Sequence, residues 1–187
     1  MEEFVTIEEN VDYTLTEKKS KFIANLIRVN SKEEAENEIK KLKKNYYDAR
    51  HNCFAYRVIE NNHIVEKASD DGEPSGTAGA PMLNILQKNG LCNILVVVTR
   101  YFGGILLGTG GLVRAYSDSL TNAIKIAKKQ AEKAVDSLVS GLPSLSKEQQ
   151  QDFEEMLEKS ESIKKYIDAK KEFDAMVNQV NQMLNFY

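Results

Sequence analysis

Short stretches in which hydrophobic residues alternate or cluster predict strands in the first part of the chain. They are Phe22–Val29, Cys53–Ile59, His63–Lys67 and Asn93–Thr99. β-Branched and aromatic residues in such stretches are typical of pleated, half-buried segments. Asn61 and Asn62 form a turn signal, which predicts a hairpin between the second and third stretches. Asn93–Thr99 is apolar at consecutive positions, so we predict it as a central strand buried on both faces.

Hydrophobic residues at helical spacing predict three helices in the same part of the chain, Lys32–Asn45, Thr77–Lys88 and Gly110–Lys129. Ser31 precedes the first helix as an N-cap, and Glu34 completes a capping box. The order strand, helix, strand, strand, helix, strand, helix predicts an α+β sandwich with helices packed on one sheet. We expect the last helix to pack against the central strand.

The chain changes composition near Ala127. Both cysteines, both histidines, all the arginines and every glycine except Gly141 precede Gln130. Residues 1–130 are therefore predicted to form an α/β domain, and residues 131–187 a helical tail joined through a linker at 141–143. Residues 146–187 carry two amphipathic stripes, which predict a helical hairpin. Its apolar faces need a partner, which is the first domain, a second copy of the chain or another helical protein.

Composition narrows the class of protein. The chain has 187 residues, of which 42% are hydrophobic and 28% charged, as is typical of soluble globular proteins. A net charge of −3 disfavours a generic polycation but leaves room for a local basic groove. Two cysteines cannot build a disulfide framework or a four-cysteine zinc site. The acidic start and the lack of a long apolar run lead us to expect no signal peptide, no membrane contact and a cytoplasmic location.

The glycine-rich region from Ala68 to Tyr116 holds the candidate binding chemistry. Glycines at a strand-to-helix junction let backbone N–H groups approach a ligand, and the helix N-terminus adds a partial positive charge. Arginine and lysine side chains can make charge-assisted contacts to phosphate. The candidate RNA- or phosphate-binding residues are Lys18, Lys19, Lys21, Arg50, His51, Arg100, Gly103, Gly104, Gly108, Gly110, Gly111 and Arg114.

Several candidates have two interpretations. Asp70, Asp71 and Glu73 can ligate magnesium in an enzyme for a phosphorylated substrate, or they can form a turn and cap the helix after Pro74. His51 can act as a base or contact RNA, or it can make a structural hydrogen bond. The spacing matches neither a Rossmann motif nor a P-loop. Since no nucleophile pattern stands out, we expect a binding protein rather than an enzyme, and no cofactor or metal.

Long motifs stand in a fixed order over Tyr13–Ala127. They are KKSKFIA at 18–24, ARHNCFAY at 49–56, SDDGEPSGTAG at 69–79, TRYFGG at 99–104 and LGTGGLVRAY at 107–116. In these residues the chain resembles the YigZ/IMPACT family. The resemblance singles out the motif residues Asp70, Asp71, Gly72, Glu73, Pro74, Gly76, Gly79, Tyr101, Phe102 and Tyr116. The aromatic ones among them are candidates for stacking on bases, with a place in the core as the alternative.

The resemblance implies a two-layer α/β sandwich of the kind seen in RNase PH and in the second domain of a small-subunit ribosomal protein. Eukaryotic members regulate translation through the amino-acid starvation kinase pathway, and the fold suggests a nucleic-acid-binding role for bacterial members. The resemblance therefore implies a regulatory protein whose partner is RNA or a ribosome-associated protein.

The tail departs from that family. Bacterial members continue into a ferredoxin-like domain, whereas Leu138–Tyr187 resembles part of the YlbF/YmcA helical family, chiefly over Ser160–Phe173 and on to Asn181. Members of that family are implicated in RNA processing with an endoribonuclease. The resemblance leaves a third possible role for the chain, as a protein–protein scaffold that binds through its helical tail.

Overall fold

An antiparallel sheet with helices on its faces accounts for the part of the chain described here. The structure is a computed structural model that describes residues 5–141. Its elements are β1 (Val11–Glu17), β2 (Ser20–Arg28), α1 (Lys32–Asn45), β3 (His51–Glu60), β4 (His63–Ser69), α2 (Gly79–Lys88), β5 (Ile94–Tyr101) and α3 (Thr109–Gly141).

The strands are ordered β1-β2-β5-β3-β4, so β5 lies in the middle of the sheet. In the register, Val96 is opposite Leu26 on one side and Ala55 on the other. Val96 and Val97 point to opposite faces, and both are fully buried. The predicted central strand is therefore confirmed, and its continuous apolar run follows from burial on both faces.

Helices cover both faces of this sheet. On one face Met82 of α2 and Tyr116 and Leu120 of α3 share a core with the residues of β5 that include Val96. On the other face Ile39 of α1 belongs to a second core. The α+β sandwich is confirmed, and so is the packing of α3 on the central strand. These cores belong to a compact unit that ends at Glu132.

The start of α1 shows how a local signal sets a helix boundary. The Ser31 side chain accepts a hydrogen bond from the backbone N–H of Glu34 at 3.1 Å. The Glu34 carboxylate reaches back to the N–H of Asn30 at 2.7 Å, one residue earlier than a standard capping box requires. The predicted bounds Lys32–Asn45 coincide with the observed helix because these contacts are local.

Two differences from the predicted elements stand out. The prediction missed β1, whose Val11, Tyr13 and Leu15 alternate with polar residues along an edge strand. The prediction also ended α3 at Lys129, whereas the helix runs on to Gly141. The helix therefore does not stop at the domain boundary predicted after residue 130. Within residues 5–141 no helix is long and apolar enough to span a membrane. The predicted hairpin at 146–187 lies outside the described residues.

Candidate nucleic-acid interface

The loops that carry the candidate residues meet at one end of the sheet. At this end β2 and β3 begin and β5 ends, because Lys21 pairs with Tyr101 and His51 pairs with Arg100. We call this the basic end and define it by residues 17–21, 46–51, 70–79 and 100–118. The glycine-rich segments before α2 and before α3 therefore lie at the same end of the fold.

Asp70 organises the loop that leads into α2. Its carboxylate accepts hydrogen bonds from the backbone N–H groups of Gly76, Ala78 and Gly79 at 2.8–2.9 Å. Partial burial raises the pKa of this carboxyl, whereas the three N–H donors lower it. Together the donors outweigh the effect of burial, so the pKa lies below the ordinary value of 3.8. Asp70 thus caps α2 from outside the helix, as the turn-and-capping interpretation proposes.

The lowered pKa makes the contribution of Asp70 depend on pH. Its stabilisation is present above the unfolded-state pKa near 3.8 and is lost as the pH falls through the lower folded-state value. Asp70→Asn is expected to cost about 1–2 kcal/mol of unfolding free energy near pH 7. The difference from wild type should shrink below about pH 4 in urea titrations. Asp118→Asn, at an exposed site, is the control, and a cost for Asp70→Asn that does not change with pH would contradict the assignment.

Asp71 and His51 hold the adjoining turn together. The Asp71 carboxylate accepts from the backbone N–H of Asn52 at 2.7 Å and pairs with Lys43. The Nδ1 atom of His51 lies 2.9 Å from the carbonyl oxygen of Asp71. The backbone of Gly72 has a φ of 85°, which favours glycine at that position. The Asp71 carbonyl is therefore a structural hydrogen-bond partner for His51, as one of the two interpretations of this residue requires.

Glu73 and Arg100 form a buried ion pair that joins the two glycine-rich segments. Arg100 Nη1 lies 2.7 Å from Glu73 Oε1, and the side chains are 7% and 3% exposed. The hydroxyl of Tyr116 donates to the same carboxylate oxygen at 2.8 Å. Burial raises the pKa of Tyr116, so its phenol stays protonated. Arg100 is thus engaged inside the fold and is not among the solvent-facing cations, contrary to its placement among the phosphate contacts.

Cys53 completes this buried network. Its thiol lies 3.3 Å from the Tyr116 hydroxyl and 2.9 Å from the carbonyl oxygen of Asp70. Burial raises the pKa of the Cys53 thiol to about 12, which keeps it protonated. A neutral, buried thiol is a poor nucleophile, so the network serves packing rather than covalent chemistry.

The magnesium interpretation does not fit the arrangement of the carboxylates. Asp70 binds backbone N–H groups, Asp71 binds Lys43 and Asn52, and Glu73 binds Arg100 and Tyr116. Among the described residues, no group of three or more histidine, cysteine, aspartate or glutamate side chains is placed to hold a metal ion. The acidic motif therefore builds the loop.

The remaining candidate cations are exposed at the basic end. None of them makes an ion pair within the described part of the chain. They are Lys18, Lys19, Lys21, Arg50 and Arg114. Of the acidic side chains at the same end, Glu73 is buried in its pair with Arg100 and Asp71 is paired with Lys43, whereas Glu17, Asp48 and Asp118 are exposed. The five exposed cations therefore outnumber the three exposed acids, which gives this end a small positive excess although the whole chain is acidic.

A groove of about 280 Å³ brings three of the candidate residues together. Lys18 lines it from the β1–β2 turn, and Gly111 and Arg114 line it from the first turns of α3. Glu17 and Asp118 also line this groove, so its own charge is mixed. An anion in this groove would be stabilised mainly by Lys18, Arg114 and the partial positive charge at the N-terminus of α3. The other cations lie outside the groove.

Lys18 and Lys19 occupy an unusual turn. Both have positive φ, 46° and 65°, in a two-residue hairpin between β1 and β2. Such turns favour Asn-Gly, and the β3–β4 hairpin uses Asn61 and Asn62 with φ of 49° and 62°. Two lysines in the left-handed region are unfavourable there. Strained backbone positions of this kind cluster at functional sites, so the turn is a candidate for a functional role.

Gly103 holds the lysine turn in place. Its N–H donates to Ser20 Oγ at 3.2 Å, and a Cβ at this position would overlap the carbonyl group of Lys19. Gly104, Gly108 and Gly110 have no atom close to where a Cβ would be. The space beside the last three is therefore open to a ligand.

The remaining motif residues have structural roles, with one exception. Pro74 and Gly79 belong to the loop that Asp70 organises, and the backbone of Ser69 comes within 2.6 Å of where a Gly79 Cβ would lie. The Tyr101 hydroxyl donates to Asp48, and this hydrogen bond raises the pKa of Tyr101 to about 12. The exception is Phe102, whose side chain is 49% exposed.

Two apolar neighbours of Phe102 were not among the predicted site residues. Ile105 and Leu106 are 42% and 82% exposed in the same loop. The signal available in the sequence was the short apolar run between Gly104 and Gly108. This run is too short for a buried strand, and the structure shows that Ile105 and Leu106 are not part of the core. Exposed apolar side chains that form one patch mark candidate contact surfaces, so Ile105 and Leu106 join Phe102 as candidates.

Comparisons with known proteins agree with these motifs. Over 121 residues the chain is 50% identical to the IMPACT family member YvyE of Bacillus subtilis (strain 168), covering 65% of this chain and 55% of that protein. Over 109 residues it is 44% identical to the IMPACT family member YigZ of Escherichia coli (strain K12), covering 58% of this chain and 53% of that one. The chain thus spans little more than half the length of these relatives.

A solved structure has a similar fold. A crystal structure described only as that of a hypothetical protein has a TM-score of 0.60 and 40% sequence identity, covering 64% of this chain and 59% of that chain. Residues 18–124 match the Impact N-terminal domain, and they include every segment of the basic end except Glu17. The chain therefore belongs to the IMPACT family, with an Impact N-terminal domain at residues 18–124.

Proposed function

We propose that this chain is a regulatory protein of translation that binds RNA through the basic end of its first domain. The observation that carries the proposal is the set of exposed cations at one end of the sheet that form no ion pair within residues 5–141, namely Lys18, Lys19, Lys21, Arg50 and Arg114. The link to translation rests on the resemblance to regulators in the IMPACT family.

Charge at this end favours a polyanion over a small metabolite. The cations are spread over the β1–β2 turn, the start of β2, the residue before β3 and the first turns of α3. A single phosphate in the groove would meet Lys18 and Arg114 but also Glu17 and Asp118. A phosphodiester chain can contact several dispersed cations and release their counterions, so we expect modest affinity that falls steeply with salt.

The lysine turn supplies the sharpest test of RNA binding. Lys18→Asn with Lys19→Gly introduces the residues that this turn type favours, so the domain should become more stable by about 1 kcal/mol. The same change removes two cations, so binding of a labelled oligouridine of about 12 nucleotides should weaken. The slope of log K against log salt, which is negative, should become shallower by about 1. The readouts are urea unfolding and fluorescence anisotropy over a salt series.

Because stability and affinity are expected to change in opposite directions, unfolding cannot explain a loss of binding. Lys88→Gln removes an exposed cation at the C-terminal end of α2, away from the basic end, and is the control with no expected effect. An unchanged salt slope in the turn variant would refute RNA binding at the basic end. A ribosome-associated protein as sole partner would leave free oligouridine unbound by the wild type.

A further inference from the structure

The ring of Phe102 has a buried neighbour on its inner side. The Arg100 guanidinium lies over it, with its carbon 5.5 Å from the ring centroid. The same guanidinium lies 5.5 Å from the ring of buried Phe22, which meets Tyr116 edge-on at 5.2 Å. Arg100 is held in turn by Glu73. The half-exposed ring of Phe102 therefore lies against a buried, ion-paired guanidinium.

The residues on either side of Phe102 contact the segment that carries exposed lysines. Gly103, the next residue, packs against the backbone of Lys19 and donates to Ser20. Tyr101, the preceding residue, pairs with Lys21 across β5 and β2. Both chain neighbours of Phe102 therefore lie beside the segment that carries Lys18, Lys19 and Lys21. An aromatic face near cations is complementary to a nucleotide, which combines a flat base with a charged phosphate.

We propose that Phe102 is a stacking platform for an unpaired base, so that the ligand of the basic end is single-stranded RNA rather than a duplex. The proposal rests on the proposed function and deepens it. In a duplex the faces of each base are covered by its neighbours, whereas an unpaired base offers a free face to an aromatic side chain. In this proposal the lysines of the neighbouring segment contact the phosphates, and Ile105 and Leu106 add exposed apolar side chains in the same loop as Phe102.

Substitution of Phe102 tests the platform in the full chain. Phe102→Ala should weaken binding of the labelled oligouridine roughly ten- to a hundredfold. Phe102→Leu keeps apolar bulk without an aromatic face and should weaken binding nearly as much. Binding of an RNA duplex of equal length should change less than about twofold, because its bases are already stacked. The salt slope should stay as in wild type, since no cation is removed.

A tryptophan variant reports stacking directly. The chain contains no tryptophan, so Phe102→Trp introduces a single fluorophore at the platform. Its emission should be quenched by oligouridine, and its affinity should match that of wild type. Ile64→Trp is the control, because Ile64 is 46% exposed at the start of β4, at the other end of the sheet. Its emission should not respond to RNA.

The outcomes separate the platform from the proposed function. If wild type binds oligouridine with a steep salt dependence and Phe102→Ala binds equally well, the platform is wrong and RNA binding stands. If wild type binds no RNA, both are wrong. If Phe102→Trp emission responds to protein from a ribosomal salt wash but not to oligouridine, the loop docks a protein and the platform is overturned.

Discussion

Arg100→Ala is expected to lower the unfolding free energy of the domain by about 3–5 kcal/mol. The reason is the burial of the pair, with the Arg100 side chain 7% and the Glu73 side chain 3% exposed. Removing the guanidinium leaves a buried carboxylate that, within residues 5–141, keeps the Tyr116 hydroxyl as its hydrogen-bond partner. It also removes the support between the rings of Phe22 and Phe102. Urea unfolding of the full chain, followed by circular dichroism, measures the loss.

A matched pair of variants shows whether the lost charge partner is responsible. Lys41→Ala removes an exposed ion pair with Glu38, in which the lysine side chain is 67% exposed, and should cost less than about 1 kcal/mol. Arg100→Met combined with Glu73→Leu removes both buried charges and should lose less than the two single changes added together. A loss below about 1 kcal/mol for Arg100→Ala would show that the pair does not hold the two loops together.

Gly103→Ala is expected to destabilise the domain by about 2–3 kcal/mol. The new methyl group would overlap the Lys19 carbonyl and the Ser20 nitrogen, and backbone atoms cannot rotate away as a side chain can. The loop and the lysine turn must therefore separate. The same change should weaken binding of oligouridine, because it moves Phe102 away from the turn. Urea unfolding and anisotropy on the same samples measure both effects.

Gly110→Ala is the control for this glycine substitution. No atom lies within 4 Å of where its Cβ would be, and its φ is not in the left-handed region. Because Gly110 lies in the first turn of α3, alanine there should be neutral or stabilise by up to about 1 kcal/mol. A domain that tolerates both alanines equally would contradict the close contact of Gly103 with the lysine turn.

Local signals account for the elements that were predicted well. The bounds of α1 came from a cap at Ser31 and an apolar stripe that ends with the helix, and both signals lie within the segment itself. The β3–β4 hairpin followed from Asn61 and Asn62, which tolerate the positive φ that a tight turn needs. The central place of β5 followed from its unbroken apolar run, since a strand at an edge would expose one face.

Long-range pairing accounts for what was missed in the site. Arg100 resembled a phosphate contact because it follows a strand and precedes glycines, but its partner Glu73 lies 27 residues away. Asp70, Asp71 and Glu73 are adjacent in the sequence, yet the fold directs them to separate partners. Neighbouring carboxylates can ligate a metal ion or form a turn and cap a helix, so the sequence pattern left both interpretations open.

The residue types of this chain specify its α/β domain, its family motifs and the presence of cations near glycine-rich loops, because hydrophobic periodicity and turn preferences are properties of short segments. Which of these cations remain exposed to solvent depends on which distant segments the fold brings together. The pairing of β2, β3 and β5 buries Arg100 while it leaves Lys18, Lys19, Lys21, Arg50 and Arg114 exposed at the basic end. The same pairing sets the Phe102 ring against the Arg100 guanidinium and packs Gly103, the next residue, on the lysine turn. Neither contact can be read from the order of residues alone.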